Sequence, residues 1–323
     1  MLRVLIVALL LALGGCASDP PVQISASTWR QVDRDIAAAS HNASTQAREH
    51  ALTAMRRWME LVYVETEAEF IPWFSSYWTR QWLSMKVSWY NLNAADEKNP
   101  AVNRLALYLQ EQYQERVLEA VAEEIDPGQI MEASTRLYVL HLQHQVPGIG
   151  PRHGVPEDQF EQRLKAIPAI TLAPGASLYQ LLQADPPDRL PAYQALLERI
   201  RTTPGGAGDW STNPGISLVA RRTSERLVND LTASGAASAV SAMVGRVAGL
   251  GISLGVAVFT AIAHADERAD TETQLRKNLT VAFDEEWREL MRSPERGVLA
   301  GVHHLSGQIE GGLGVPFRYQ PPR

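Results

Sequence analysis

The 323-residue chain contains one cysteine, Cys16. No intramolecular disulfide can form, and no zinc site built on cysteine pairs is possible. There is no Walker loop and no GxGxxG turn, so nucleotide cofactors find no recognisable cradle. Glu-x-x-His is missing as well. The residues three places before His41, His50, His141, His144, His303 and His304 are Ala38, Ala47, Tyr138, His141, Ala300 and Gly301. That removes the di-iron chemistry which helical bundles commonly house. His141 and His144 share a helix face, but a metal would need a third ligand. There is no basic surplus: 30 Lys and Arg stand against 36 Asp and Glu, a formal charge of -6, which leaves nucleic acid without an electrostatic footprint. Strand signals are nearly absent, and residues 170–172 are too short to define a sheet. No cofactor, metal site or catalytic residue is expected.

What is present begins at the N-terminus. Arg3 precedes an apolar run over 4–13, which is the layout of a secretory signal and too short for a stable span. The run ends in Leu13, Gly14, Gly15 and Cys16. This ending resembles the lipobox of bacterial lipoproteins, and the resemblance covers only the first 20 residues or so. It implies cleavage before Cys16, a thioether to diacylglycerol at its sulfur, and a further acyl chain such as palmitate on its amino group. Ala17 rather than Asp after the cysteine fits outer-membrane sorting in that class. The expected location is therefore the outer membrane, facing the periplasm. Each buried methylene is worth about 0.8 kcal/mol, so several chains on one residue make a stable anchor. Residues 1–15 are then the signal and 16–27, with Pro20 and Pro21, a tether.

The mature chain reads as all-α. From Thr28 to about Phe70, apolar or small residues recur at three- and four-residue steps: Trp29, Val32, Ile36, Ala39, Ala43, Ala47, Ala51, Met55, Trp58 and Leu61/Val62. Thr28 and Gln31 suggest a capping box at its start. Pro72 should start a new helix or kink the old one. Over 70–93 there is no acid, and four of the eight tryptophans (Trp73, Trp78, Trp82 and Trp89) lie there. They form either the aromatic seam of a bundle or a helix lying among lipid headgroups. Asn99 and Pro100 open a third helix, and Asp126, Pro127 and Gln129 restart one that runs to about Gln145. Shorter helices fill the rest of a 28–201 domain, and 202–216 is a Pro/Gly-rich linker. A C-terminal helical region follows over 217–310, with an apolar stripe of Leu275, Leu279, Phe283, Trp287 and Leu290. Residues 311–323 should form a loose tail. The expected architecture is an elongated helical bundle.

Within 231–263 lies the most unusual composition. Ala233, Ala237, Ser241, Gly245, Gly249, Ser253, Ala257 and Ala261 step by four without a break. On a helix they form a groove that a second helix can approach at backbone distance, a glycine-zipper pattern also seen in some outer-membrane lipoproteins. Only Arg246 is charged between Leu231 and Ala263. Three readings stand side by side: a second membrane contact as helix or hairpin, a core helix of a soluble bundle, and a serine-hydrolase elbow at Gly251–Ser253–Gly255. The elbow would need Ser253 on a strand-to-helix turn backed by parallel strands. The leading expectation is a non-enzymatic, lipid-anchored envelope protein with a structural, assembly, secretion-accessory or membrane-interacting role. Its partners are a membrane through the anchor and either a second membrane contact or a helix of another protein. A lipoprotein hydrolase using Ser253 and a soluble periplasmic binding module are the alternatives.

Overall fold

Ser25, rather than Thr28, caps the first helix. Its hydroxyl accepts from the Thr28 backbone N–H at 3.1 Å, and α1 runs over Ala26–Glu65. Three hydroxyl residues crowd this start, and the one in extended conformation wins. This and all that follows comes from a computed structural model that describes residues 22–76, 111–203, 207 and 268–320. The small-residue segment 231–263 and Trp78, Trp82 and Trp89 lie outside the described residues, as does Cys16.

Among the described residues the fold is all-α with one two-stranded ribbon. At 1.5 Å per residue, the 40 residues of α1 extend about 60 Å. Its three-and-four stripe is buried from Trp29 through Val62. The alanines in the middle of that stripe let other helices approach closely. Helix α4 (Pro127–Gln145) lies antiparallel to α1, and Ser40 meets the Tyr138 hydroxyl at 2.8 Å between them. Asp126 caps α4 by accepting from the Gln129 N–H at 3.0 Å, and Pro127 fills its first turn, where no N–H is needed. Helix α10 (Ala300–Leu313) lies against both. It comes so close that a Cβ on Gly301 would overlap Thr135. The last helix of the chain thus helps to bury the first.

Smaller elements close the sides. They are α5 (Ile149–Arg152), α6 (Glu157–Ala166), α7 (Leu178–Gln183) and α8 (Pro191–Arg201), with a 3-10 turn at Pro187–Arg189. Strand β1 (Pro168–Ile170) pairs antiparallel with β2 (Ala176–Ser177). The pairing begins two residues before 170–172, the segment singled out in the sequence. Residues 316–320 are docked: the Phe317 ring meets Trp29 edge-on at 4.7 Å, and the Tyr319 hydroxyl donates to Asp158 at 2.7 Å.

Two π turns interrupt the long helices. Helix α1 continues through one at Thr66–Phe70 into α2 (Ile71–Ser75), and the other, Gln114–Leu118, leads into α3 (Glu119–Glu124). The first sits directly before Pro72, whose ring would clash with the carbonyl four residues back in a regular helix. The Thr66 hydroxyl donates to the Val62 carbonyl at 2.6 Å, adding a second bond to an acceptor that also takes the Thr66 N–H. Helix α9 (Arg268–Arg292) runs antiparallel to α1 and buries Leu279, Phe283 and Leu290, with Trp287 packed partly against them.

Candidate functional site

The two π turns face each other, and their junction is the most specialised site among the described residues. Thr66 and Tyr113 meet through their hydroxyls at 2.7 Å, both buried. Around the Tyr113 ring, Phe70 packs edge-on at 4.8 Å and Phe283 stacks at 5.7 Å. Phe74 stacks on Phe70 at 6.3 Å, and Trp73 leans on the same ring at 5.6 Å. The Arg116 guanidinium lies 4.9 Å above Trp73. Trp73 is therefore packed into the body with a cation on its face, an arrangement favourable for indole.

Charges tie α9 to this junction. Arg276 donates from Nε to both carboxylate oxygens of Glu67, at 2.9 and 3.1 Å. The Tyr63 hydroxyl donates to Asp284 at 3.2 Å. Burial, and then the Asp284 charge, push the Tyr63 phenol up to about 12. Burial likewise raises Tyr113. Phenols shifted upward stay protonated at neutral pH and act here as hydrogen-bond donors. Among the described residues no three His, Cys, Asp or Glu side chains lie together as metal ligands, and His141 and His144 acquire no third partner of that kind.

The junction also gives the body a direction. Val22 sits at the start of α1, where its carbonyl accepts from Gln159 Nε2 at 2.8 Å. Ser76 and Glu111, which border residues 77–110, lie at the other end beside the Thr66–Tyr113 contact, and Arg268 lies two turns before the Arg276–Glu67 pair there; Ala207, at the other border of 208–267, instead donates its N–H to the Arg296 carbonyl after α9 at 2.8 Å. Chain leading back to Cys16 and chain leading to the tryptophan-rich segment therefore leave from opposite ends of α1. Among the described residues no helix is long and apolar enough to cross a membrane.

Two histidines carry a pH signature. Burial and then Arg48 lower the pKa of His303, and burial and then Arg199 lower that of His304. A base held below its unfolded value takes up its proton later in the native state. Stability should therefore fall as pH drops through the unfolded value of about 6.5. Urea midpoints should decline as pH drops through about 6.5. His303→Gln combined with His304→Gln should flatten that decline, and an unchanged slope would contradict the assignment.

The sequence did not single out the π junction, the pair of Asp33 with the buried Arg163 or the His153–Asp35 contact at 2.9 Å. A tyrosine or arginine on a helical stripe reads as ordinary surface or core, and the partners are far away along the chain. The sites that were singled out, Cys16 for lipidation and Ala237, Ser241, Gly245, Gly249, Ser253 and Ala257 for packing, fall outside the described residues. No family model, no curated protein and no solved structure matches this chain.

Proposed function

We propose that the protein is a non-enzymatic, lipid-anchored component of the cell envelope, in which a helical body separates two contacts. One contact is the outer membrane, held through acylated Cys16 on the periplasmic side. The other is made by the tryptophan-rich segment, whose flanking residues Ser76 and Glu111 lie at the far end of α1, and by the small-residue segment 231–263. The observation that supports this reading best is the opposite placement of Val22 and of Ser76, Glu111 and Arg268. A body of about 60 Å between them matches a spacer better than a closed binding domain. The long α1, buried along one stripe and braced by α4, α9 and α10, has the stiffness a spacer needs.

The second contact is a membrane surface on this reading, because indole rings and the cationic side chains of Arg80 and Lys86 share an acid-free stretch. On addition of phospholipid vesicles, protein freed of its acyl chains should show blue-shifted tryptophan emission protected from aqueous quencher. The shift should vanish when Trp78, Trp82 and Trp89 are replaced together by serine. Unchanged emission with no vesicle binding would remove the membrane from the far end.

A further inference from the structure

An anchor at Cys16 leaves one end of the body little freedom. From Cys16 to Val22 the chain takes six residue steps, which span at most about 20 Å when fully extended. The end of the body at Val22 is then held within about 20 Å of the lipid surface, whatever path the tether follows.

What that end presents can be traced through α6. Gln159 Nε2 donates to the Val22 carbonyl at 2.8 Å. Gln162 holds the Gln320 backbone on both sides, accepting from its N–H at 2.9 Å and donating to its carbonyl at 2.7 Å. Tyr319 reaches Asp158 on the same helix. Residue 22 and residues 315–320 are therefore neighbours across two turns of α6. Along 316–319 the chain alternates: Phe317 and Tyr319 are half-buried, while Pro316 and Arg318 are exposed. Val22 and Val315 are each 62% exposed, the two most exposed large apolar side chains among the described residues. Both stand at the end that the anchor holds down.

The charges of this end suit a phospholipid surface. Asp33 is matched by Arg163, Asp35 by His153 and Arg152, and Glu161 by Lys165. Of the α6 carboxylates only Glu157 lacks such a contact among the described residues. Against it stand Arg30 and Arg318, both exposed and in no ion pair among the described residues. A guanidinium meets phosphate with two parallel hydrogen bonds, and its apolar stem lies along apolar surface while the head stays in water.

We infer that this end of the body rests on the anchoring membrane itself, with Val22 and Val315 among the phospholipid headgroups and Arg30 and Arg318 on their phosphates. The inference rests on acylation of Cys16. Two valines and two arginines are too few to hold a free protein on a bilayer. The anchor supplies the rest by keeping them at high local concentration. The body then stands on its base instead of swinging from its tether, which limits how far α1 can tilt.

The test uses the acylated full chain in vesicles of phosphatidylethanolamine and phosphatidylglycerol, with bimane on Gln320→Cys. Gln320 meets Gln162 through its backbone, so the substitution leaves that contact in place. Lipids carrying a nitroxide on the headgroup should quench this probe at least about twofold more than bimane on Thr53→Cys, an exposed position about 40 Å along α1. The decisive variant carries about a dozen extra Gly and Ser residues after Pro21, which lengthens the reach by about 40 Å. Contact predicts that quenching at residue 320 persists in it. Adding Val22→Asp and Val315→Asp to the long tether should lower it to the Thr53→Cys level. Both valines are exposed, so the fold is kept, and circular dichroism checks this. Long-tether quenching already at the Thr53→Cys level would overturn the inference, as would full quenching in the double aspartate variant. The mass of the N-terminal peptide separates this result from the anchor. Acylated Cys16 without persistent quenching overturns the contact alone, and a bare Cys16 overturns both.

Discussion

Replacing Asp33 with alanine should destabilise the protein by about 3 kcal/mol, the low end of the cost of stranding a buried charge, because Arg163 is buried while Asp33 is only partly so. Arg163 on α6 is 1% exposed, and its Nε donates to Asp33 Oδ1 on α1 at 2.8 Å. The rest of its surroundings offer little compensation. One Nη reaches the Leu313 carbonyl at 3.4 Å, and the guanidinium lies 5.4 Å from the Phe317 ring. Without Asp33 a full positive charge stays in a site that water scarcely reaches. The same residue ties α1, α6 and the end of α10 together, so the loss should be global. Asp33→Leu combined with Arg163→Met should recover most of it, because two apolar groups leave no stranded charge. Urea unfolding of the three variants decides the matter. A double variant no better than Asp33→Ala would mean that the guanidinium's packing, not its charge pairing, matters.

Gly297→Ala should cost about 3 kcal/mol. Gly297 turns the chain from α9 into α10. A Cβ there would overlap the Leu290 carbonyl oxygen and come within 2.6 Å of the Ser293 carbonyl oxygen. Neither can move freely. The Leu290 carbonyl accepts from the Val298 N–H at 2.8 Å, and the Ser293 carbonyl accepts from the Gly297 N–H at 3.0 Å. Relieving the clash opens the turn and lifts α10 from α1 and α4. Gly307→Ala and Gly311→Ala provide the contrast. Their Cβ atoms would meet nothing within 4 Å, so each should stabilise α10 by about 0.5–1 kcal/mol through helix propensity. Thermal unfolding of the three variants should move in opposite directions. A neutral Gly297→Ala would show that the turn has room.

The parts of this fold that could be read from the sequence are those in which local signals agree. The stripe from Trp29 to Val62 repeats at three and four residues, and every member of it is buried apart from the partly covered Leu61. Asp126, Pro127 and Gln129 carry both cap and first-turn chemistry, and α4 begins and ends where they and Gln145 predict. Less local features escaped. The cap moved from Thr28 to Ser25 because Ser25, Ser27 and Thr28 compete over one turn. The π turns have no compositional mark, since one extra residue in a helix changes hydrogen-bond register and not polarity. Arg163 sits on a short helix rich in charge, where an arginine reads as solvent-facing, yet Asp33 130 positions earlier makes it a core residue. The docking of α10 was hidden for a related reason. "AGVHHLSGQIEGGL" has a weak apolar stripe, and its small residues reveal a close approach only once Thr135 is known to lie opposite Gly301.

The anchor is the part of the proposed role on which the rest depends, and it reduces to one sulfur atom. Cells expressing the wild-type chain or Cys16→Ser are fed an alkyne-tagged palmitate, and the protein is isolated and coupled to a fluorophore. The account predicts strong label on wild type, none on Cys16→Ser, and accumulation of the variant with residues 1–15 still attached. Equal label on both, or wild type processed without any label, would contradict lipid attachment at Cys16 and with it the spacer held between two surfaces.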